Sequence, residues 1–292
     1  MKSGFVSIVG RPNVGKSTLL NSILERKVAI TSSKAQTTRN IIQGIYTTQD
    51  VQIVFIDTPG IHKPQNKLGN ILNKEAYTMI QDVDLVLFLV DVEKGIGKGD
   101  KFILENLKNE KKDVILLLNK IDRIKKEELL PIIDDCKDLY DFKEIVPISA
   151  LKGDNVLELI KVITPYLKDN VKYYDDDTIT NVSLNFMLAE LLREKVLRFT
   201  DKEVPHAVTC MIEHIEEDDN IVNINAVIIV DRDSLKKIII GKNGQMLKNI
   251  GMKARIDMEN LLGKKVYLET YVKTIKSWRD REKYLIELGL SE

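Results

Sequence analysis

The chain has 292 residues, long enough for two domains, and at 43% hydrophobic it can bury a core in each. Its 44 lysines and arginines balance 44 acids, so the chain as a whole carries no polyanion-binding signature. Cys136 and Cys210 stand far apart, which excludes a disulfide framework and a cysteine metal site and suits a reducing compartment.

The apolar runs are short. Leu85–Val90 is about a third of the ~20 residues that span a bilayer, and Met1–Gly4 leads straight into a strand, without the regions of a signal peptide. A soluble, cytoplasmic protein is expected, compatible with peripheral membrane contact.

In chain order, Phe5–Val9 is β-branched and predicts a buried strand, and Thr18–Leu24 predicts a helix. Between them stands Gly10-Arg11-Pro12-Asn13-Val14-Gly15-Lys16-Ser17. Glycines at this spacing let successive backbone N–H groups turn inward onto phosphate oxygens, and the helix N-terminus adds its dipole. Lys16 is placed to reach the β- and γ-phosphates, and the Ser17 hydroxyl, followed by Thr18, to ligate Mg²⁺. A loop of this kind specifies a nucleoside triphosphate, not its base.

Ser33–Arg39 follows as a polar loop. One of its threonines is expected to complete the Mg²⁺ shell, with Thr38 preferred and Thr37 its competitor. Val51–Ile56 predicts a strand that delivers Asp57-Thr58-Pro59-Gly60 to the phosphate end. Asp57 is placed to act on Mg²⁺ through water, and Gly60 to offer its N–H to the γ-phosphate. Ile61 comes next, then His62. Leu85–Asp91 predicts a central strand, and Gly95, Gly97 and Gly99 a loop before a helix near Asp100–Leu107.

The base is read further along. Val114–Leu118 predicts a strand ending at Asn119-Lys120-Ile121-Asp122. A carboxylate at Asp122 accepts from N1–H and the exocyclic amine of guanine, and adenine has neither donor there. Asn119 ties the loop or meets the purine edge, and the Lys120 stem lies along the base. A strand over Ile145–Ile148 ends in Ser149-Ala150, whose Ala150 N–H is placed for guanine O6. Alternating apolar strands and amphipathic helices predict a mostly parallel α/β sheet covered on both faces.

Tyr173-Tyr174-Asp175-Asp176-Asp177 is polar and aperiodic and predicts a linker. Beyond it the order changes. A helix over Leu184–Phe199 is followed by strands over Ala207–Ile215 and Ile221–Val230. Helices over Ser234–Ile240 and Gln245–Leu262 flank Gly241-Lys242-Asn243-Gly244. A strand over Lys265–Val272 and a helix over Lys276–Leu288 close the chain. From Arg232 to Lys283 there are 14 lysines and arginines against 6 acids, a local basic surplus. Two glycines allow a tight bend and close approach to a sugar–phosphate chain. Lys242 and the following helix N-terminus can meet phosphates, and Ile238, Ile239, Ile240 and Leu247 can supply apolar contact for bases.

Taken as a set, GRPNVGKST, KAQTTR, DTPG, NKID and SA resemble the Ras-like GTPase superfamily and, within it, the Era-type branch of bacterial ribosome-assembly GTPases. The αββααβ order around GxxG resembles a type-2 KH domain, whose loop clamps about four nucleotides. The resemblance implies a GTPase domain over residues 1–170, a linker over 171–180 and a KH RNA-binding domain over 181–292. It implies GTP or GDP with Mg²⁺ bound by Gly10–Thr18, Thr38, Asp57–Ile61, Asn119–Asp122 and Ser149–Ala150. Lys16, Thr38 and Gly60 would serve hydrolysis, and Ile240–Gly244 would bind the 3′ region of small-subunit ribosomal RNA during small-subunit assembly by a monomer. It also implies a K⁺ ion held by Asn13. Ile61 stands where Ras-type enzymes carry the glutamine that orients the attacking water, so slow intrinsic turnover is expected. The rival from another class is a GTPase switch whose C-terminal domain binds a protein or membrane instead of RNA.

Overall fold

Six short segments of the first part, the central ones rich in valine, isoleucine and leucine, pair into one sheet. The strands are β1 (Lys2–Val9), β2 (Ile42–Thr47), β3 (Val51–Asp57), β4 (Leu85–Asp91), β5 (Asp113–Asn119) and β6 (Glu144–Ile148). Their spatial order is β2-β3-β1-β4-β5-β6. All neighbours run parallel except β2 and β3. This is a computed structural model of the chain, and it describes residues 1–34, 37–61, 64 and 66–290.

Helices α1 (Lys16–Leu24), α2 (Lys67–Gln81), α3 (Lys98–Glu110), α4 (Lys126–Lys137) and α5 (Val156–Ile163) alternate with these strands. Strands β3 and β4 are buried at every residue, as expected of strands covered on both faces. The six side chains Leu85–Val90 are all at 1% exposure or less. Each such burial contributes roughly 1.5–3 kcal/mol. With β1, β3, β4, β5 and β6 parallel, their carboxyl ends share one edge, where open α/β sheets place ligands.

The second part follows the predicted order. It comprises α6 (Leu184–Phe199), β7 (Val208–Glu217), β8 (Ile221–Val230), α7 (Asp233–Ile240), α8 (Gln245–Leu262), β9 (Lys265–Thr274) and the short α9 (Glu282–Glu287). Its sheet runs β7-β8-β9, antiparallel then parallel. Two compact units result. The first is Met1–Ala29, Thr38–Pro64 and Gly69–Asn181, and the second is Ile30–Thr37, Gln65–Leu68 and Val182–Glu292. Ile30 belongs to the second unit's core, with Leu188, Leu192, Ile228 and Ile250.

Three features depart from the sequence expectations. The stretch 171–180 is no free linker, because it is strapped to the first unit. The buried Gln52 amide accepts from the N–H groups of Tyr173 (2.7 Å) and Tyr174 (3.0 Å) and donates to the Tyr174 carbonyl (2.9 Å). Tyr173 also packs edge-on to Phe5, with ring centroids 4.8 Å apart.

The expected helix over Lys276–Leu288 is broken into a single turn at Trp278–Asp280 and α9. Trp278 is fully buried with its indole N–H on the Ala207 carbonyl (3.2 Å), and this anchor fixes the chain where a continuous helix would carry it away. Finally, α6 buries charge as well as its apolar stripe. Arg193, Glu194 and Lys195 are all within 5% exposure. They pair with Glu190 (2.6 Å), with one another (2.9 Å) and with Asp257 of α8. Unpaired, each would cost several kcal/mol.

Candidate functional site

The turn from β1 into α1 builds a cradle of backbone amides. Gly15 caps α1 without any side-chain hydrogen bond, and no acid lies in the first turn, so the helix N-terminus is left to an external anion. Gly15 has φ 109°, and a Cβ there would fall 2.3 Å from Asn119 Nδ2, so no other residue fits. Lys16 is buried, its ammonium donating to the carbonyls of Gly10 (3.2 Å) and Arg11 (3.1 Å). Burial brings Lys16 down to about 8, against the pull of the Asp57 carboxylate.

Beside it the Ser17 hydroxyl donates to Asp57 Oδ2 (2.6 Å), and Ser17 Oγ lies 2.8 Å from Thr38 Oγ1. The Thr38 hydroxyl is also within 3.5 Å of the same Asp57 Oδ2, so the three side chains converge on one point. Thr37 points elsewhere, its hydroxyl on the Lys34 carbonyl (2.7 Å). The structure therefore brings Thr38, not Thr37, to Ser17 and Asp57. Burial pushes Asp57 up to about 6, opposed by Lys16, Ser17 and Thr38. Its Oδ1 is buried with no hydrogen-bond partner. An all-oxygen set with an unspent carboxylate oxygen fits a hard divalent cation such as Mg²⁺.

The remaining residues of this edge fall into two groups. The Thr58 hydroxyl turns back to the Ile8 carbonyl (2.9 Å) and is fully buried, so it fixes the loop. Ile61 is 1% exposed and packs in the sheet's core, with its N–H on the Gly10 carbonyl (3.3 Å). The side chain at the glutamine's place therefore faces the core. His62 lies outside the described residues, as do Ala35 and Gln36 of the threonine loop.

At the carboxyl end of β5, Asn119 is a tie. Its Nδ2 donates to the Val14 carbonyl (2.8 Å), and its Oδ1 accepts from the Ala150 N–H (2.9 Å). The Ala150 N–H, expected to face guanine O6, is thus engaged by Asn119 and must share or exchange that bond. Lys120, at φ 71°, donates to the Asn13 carbonyl (3.0 Å) and pairs with Asp91 (2.5 Å). Asp122 is exposed, and Ser149 Oγ donates to its Oδ1 (2.6 Å), which orients the carboxylate. Asp91 is a residue that sequence reasoning missed. Its position at the end of a fully apolar strand was the available signal.

In the second unit, Gly241, with φ 71°, ends α7, and a Cβ there would sit 2.6 Å from Met246 Cβ. Lys242 and Asn243 are exposed at the tip of the bend. Ile239 is fully buried in the core, which removes it from the apolar contacts expected for bases, whereas Ile238 is half exposed and Ile240 partly buried. Next to the bend, α8 and β9 form a cleft of about 540 Å³. Leu247, Lys248, Met252 and Arg255 line one side, and Tyr267 and Thr270 the other. The sequence signal for this wall was the helical spacing of Lys248, Met252 and Arg255.

A P-loop with a guanine-type base motif on a parallel sheet, joined to an αββααβ unit with a GxxG bend, defines a two-part nucleotide- and nucleic-acid-binding protein. Residues 5–120 match the family described as 50S ribosome-binding GTPase, and residues 203–279 match the KH domain. A crystal structure of a point variant of Aquifex aeolicus Era, bound to GDP and aluminium fluoride, is similar over 100% of both chains, with 43% identity and a TM-score of 0.96. The structure of Era in complex with MgGDPNP and nucleotides 1506–1542 of 16S ribosomal RNA is similar to the same extent, with 43% identity, a TM-score of 0.96 and 100% of both chains covered. The chain belongs to the Era family of GTPases. Among the described residues no helix is long and apolar enough to cross a membrane.

Proposed function

We propose that this GTPase is a switch that reads its nucleotide state out on the 3′ region of small-subunit ribosomal RNA, and acts in assembly of that subunit. One observation carries the proposal: the chain matches, end to end, an Era whose structure holds both MgGDPNP and 16S nucleotides 1506–1542. The amides of Gly10–Ser17 and the Lys16 ammonium bind the phosphates, and Asp122, oriented by Ser149, selects guanine. Ser17, Thr38 and Asp57 hold Mg²⁺, which neutralises charge on the β- and γ-phosphates when bound. Gly60 offers its N–H to the γ-phosphate.

With Ile61 turned into the core, no side chain at that position orients water. Intrinsic turnover is then slow, on the order of 10⁻⁴ to 10⁻² s⁻¹. Asn13 holds K⁺ where it offsets transition-state charge, so hydrolysis runs faster in KCl than in NaCl. Ile240–Gly244 clamp the RNA backbone, and the cleft between α8 and β9 receives bases. The protein works as a monomer in the cytoplasm, with peripheral contact at the inner membrane.

The two sites are linked, so RNA raises GTP affinity by the factor that GTP raises RNA affinity, a coupling of about 1–3 kcal/mol. Titration of the full chain with labelled rRNA fragment, once with a GTP analogue and once with GDP, tests this. Identical dissociation constants refute the coupling. Failure to bind the fragment in either state favours a protein or membrane partner.

A further inference from the structure

Arg11 follows the first glycine of the phosphate loop, yet its guanidinium lies on the loop between β4 and α3. Its Nε is 2.7 Å from Asp100 Oδ2, and its Nη2 donates to the Gly95 carbonyl (3.1 Å). Asp100 is fully buried, and the same Oδ2 accepts the Gly97 N–H (2.8 Å). The glycines of this loop make the bed on which Arg11 rests. A Cβ on Gly99 would fall 2.7 Å from Arg11 Cδ, and one on Gly97 would fall 3.2 Å from Nη1. Burial raises the Asp100 carboxyl, and the Gly97 N–H and Arg11 work against that rise.

Both ends of this arrangement reach the nucleotide pocket. At one end the Arg11 carbonyl receives the Lys16 ammonium (3.1 Å). At the other, the Gly95 N–H donates to the carbonyl of Asp91 (3.0 Å), whose carboxylate holds Lys120 (2.5 Å). We propose that Arg11 and Asp100 form a brace, a pair of positioning residues that hold the phosphate loop in its binding shape and tie it through residues 91–100 to the base-recognition loop. The Arg11 side chain thereby sets how long a guanine nucleotide stays bound, without itself touching it; only the Arg11 backbone belongs to the phosphate cradle. This rests on the reading of the pocket as a guanine-nucleotide site.

The geometry makes the two residues one device. Removing either partner leaves the other, and the Gly95 carbonyl or Gly97 N–H, without its fixed geometry, so the phosphate loop loosens equally. A brace that acts on ground state and transition state alike changes binding and not the chemical step.

The test is dissociation of fluorescently labelled GDP from the full chain, followed by stopped flow. Asp100→Asn and Arg11→Met are each expected to speed release about tenfold, through the loss of one close ion pair with a fully buried carboxylate. The double variant is no faster than either single, because the interaction is shared. For Asp100→Asn, KM for GTP rises in step while kcat stays within twofold of wild type. Arg11→Lys keeps the charge and recovers part of the loss.

Gly99→Ala displaces the Arg11 stem with both charges intact. It is expected to speed release as well, and it serves if a charge variant fails to fold by circular dichroism. Release within twofold of wild type in Asp100→Asn, or in Gly99→Ala if it does not fold, overturns the brace, as does multiplication of the two single effects in the double variant. A fall in kcat with Arg11→Met that Asp100→Asn does not reproduce also overturns it, since Arg11 would then act on the phosphates themselves. If the wild-type chain binds no labelled GDP, it is the guanine-site reading that fails.

Discussion

Replacing Asp122 by asparagine changes one oxygen into an NH₂ group and should rewrite base preference. Ser149 Oγ donates to Asp122 Oδ1 at 2.6 Å, and the Lys152 N–H (3.2 Å) already occupies that hydroxyl from behind. In Asp122→Asn the amide oxygen therefore stays on the Ser149 side, and the amide nitrogen takes the place of Oδ2. A donor now faces the exocyclic amine of guanine, itself a donor. A hydrogen bond to a charged group is lost, about 1.5–3 kcal/mol, and an unpaired donor is left in its place. Xanthine carries an oxygen where guanine carries that amine, and so gains a bond of about 1 kcal/mol. The ratio of GTP to xanthosine triphosphate affinity should fall by roughly 10²–10³. Competition of the two nucleotides against labelled GDP measures it. A ratio within threefold of wild type would refute the role of Asp122.

Three further outcomes follow from the same geometry. Lys16→Ala removes a buried ammonium and should lower GTP affinity by at least ~10²-fold in calorimetry, a charge-assisted contact to phosphate being among the strongest. Gly244→Asp suits the clamp better than Gly241→Asp. Both glycines have positive φ, 75° and 71°, so either variant is strained, but a Cβ at Gly244 meets open space whereas one at Gly241 also strikes Met246 and endangers the fold. The Gly244 variant should lose RNA binding and keep GTP hydrolysis, while wild-type binding follows a log–log salt slope of roughly −3 to −4 for about four to six neutralised phosphates. Burial pushes the Cys136 thiol up to about 11, so at pH 8 a disulfide reagent should titrate only the partly exposed Cys210 until denaturant is added.

Much of the pocket's placement was legible because its motifs are contiguous and most of them follow a largely apolar strand. Val114–Leu118 before Asn119 and Val51–Ile56 before Asp57 announce both strand and ligand edge at once. What stayed hidden depends on partners distant in sequence. Nothing near Thr37 and Thr38 says which one meets Ser17, because the choice is made by Asp57 and by the Lys34 carbonyl. The strap over 171–180 looked like a linker because its partner is the amide of Gln52, a polar residue inside an otherwise apolar strand. The charges of α6 look solvated in sequence, since their burial is compensated by Asp257 some sixty residues away. Ile239 reads like Ile238 and Ile240, and only the helix phase against the sheet separates core from surface.

The pocket's two halves are not independent recognisers. Asn119 is 2% exposed and spends its amide on the phosphate loop at Val14 and on the Ala150 N–H. Lys120 reaches the same loop at Asn13. Asn119 and Lys120, in the loop after β5, therefore fix two carbonyls of the loop before α1, and Gly15 must lack a side chain to let Asn119 lie there. On the proposed reading of the pocket, a nucleotide that fits at one end would tighten the other, because both ends share these buried bonds. Affinities for base and phosphates then cannot be summed as separate contributions.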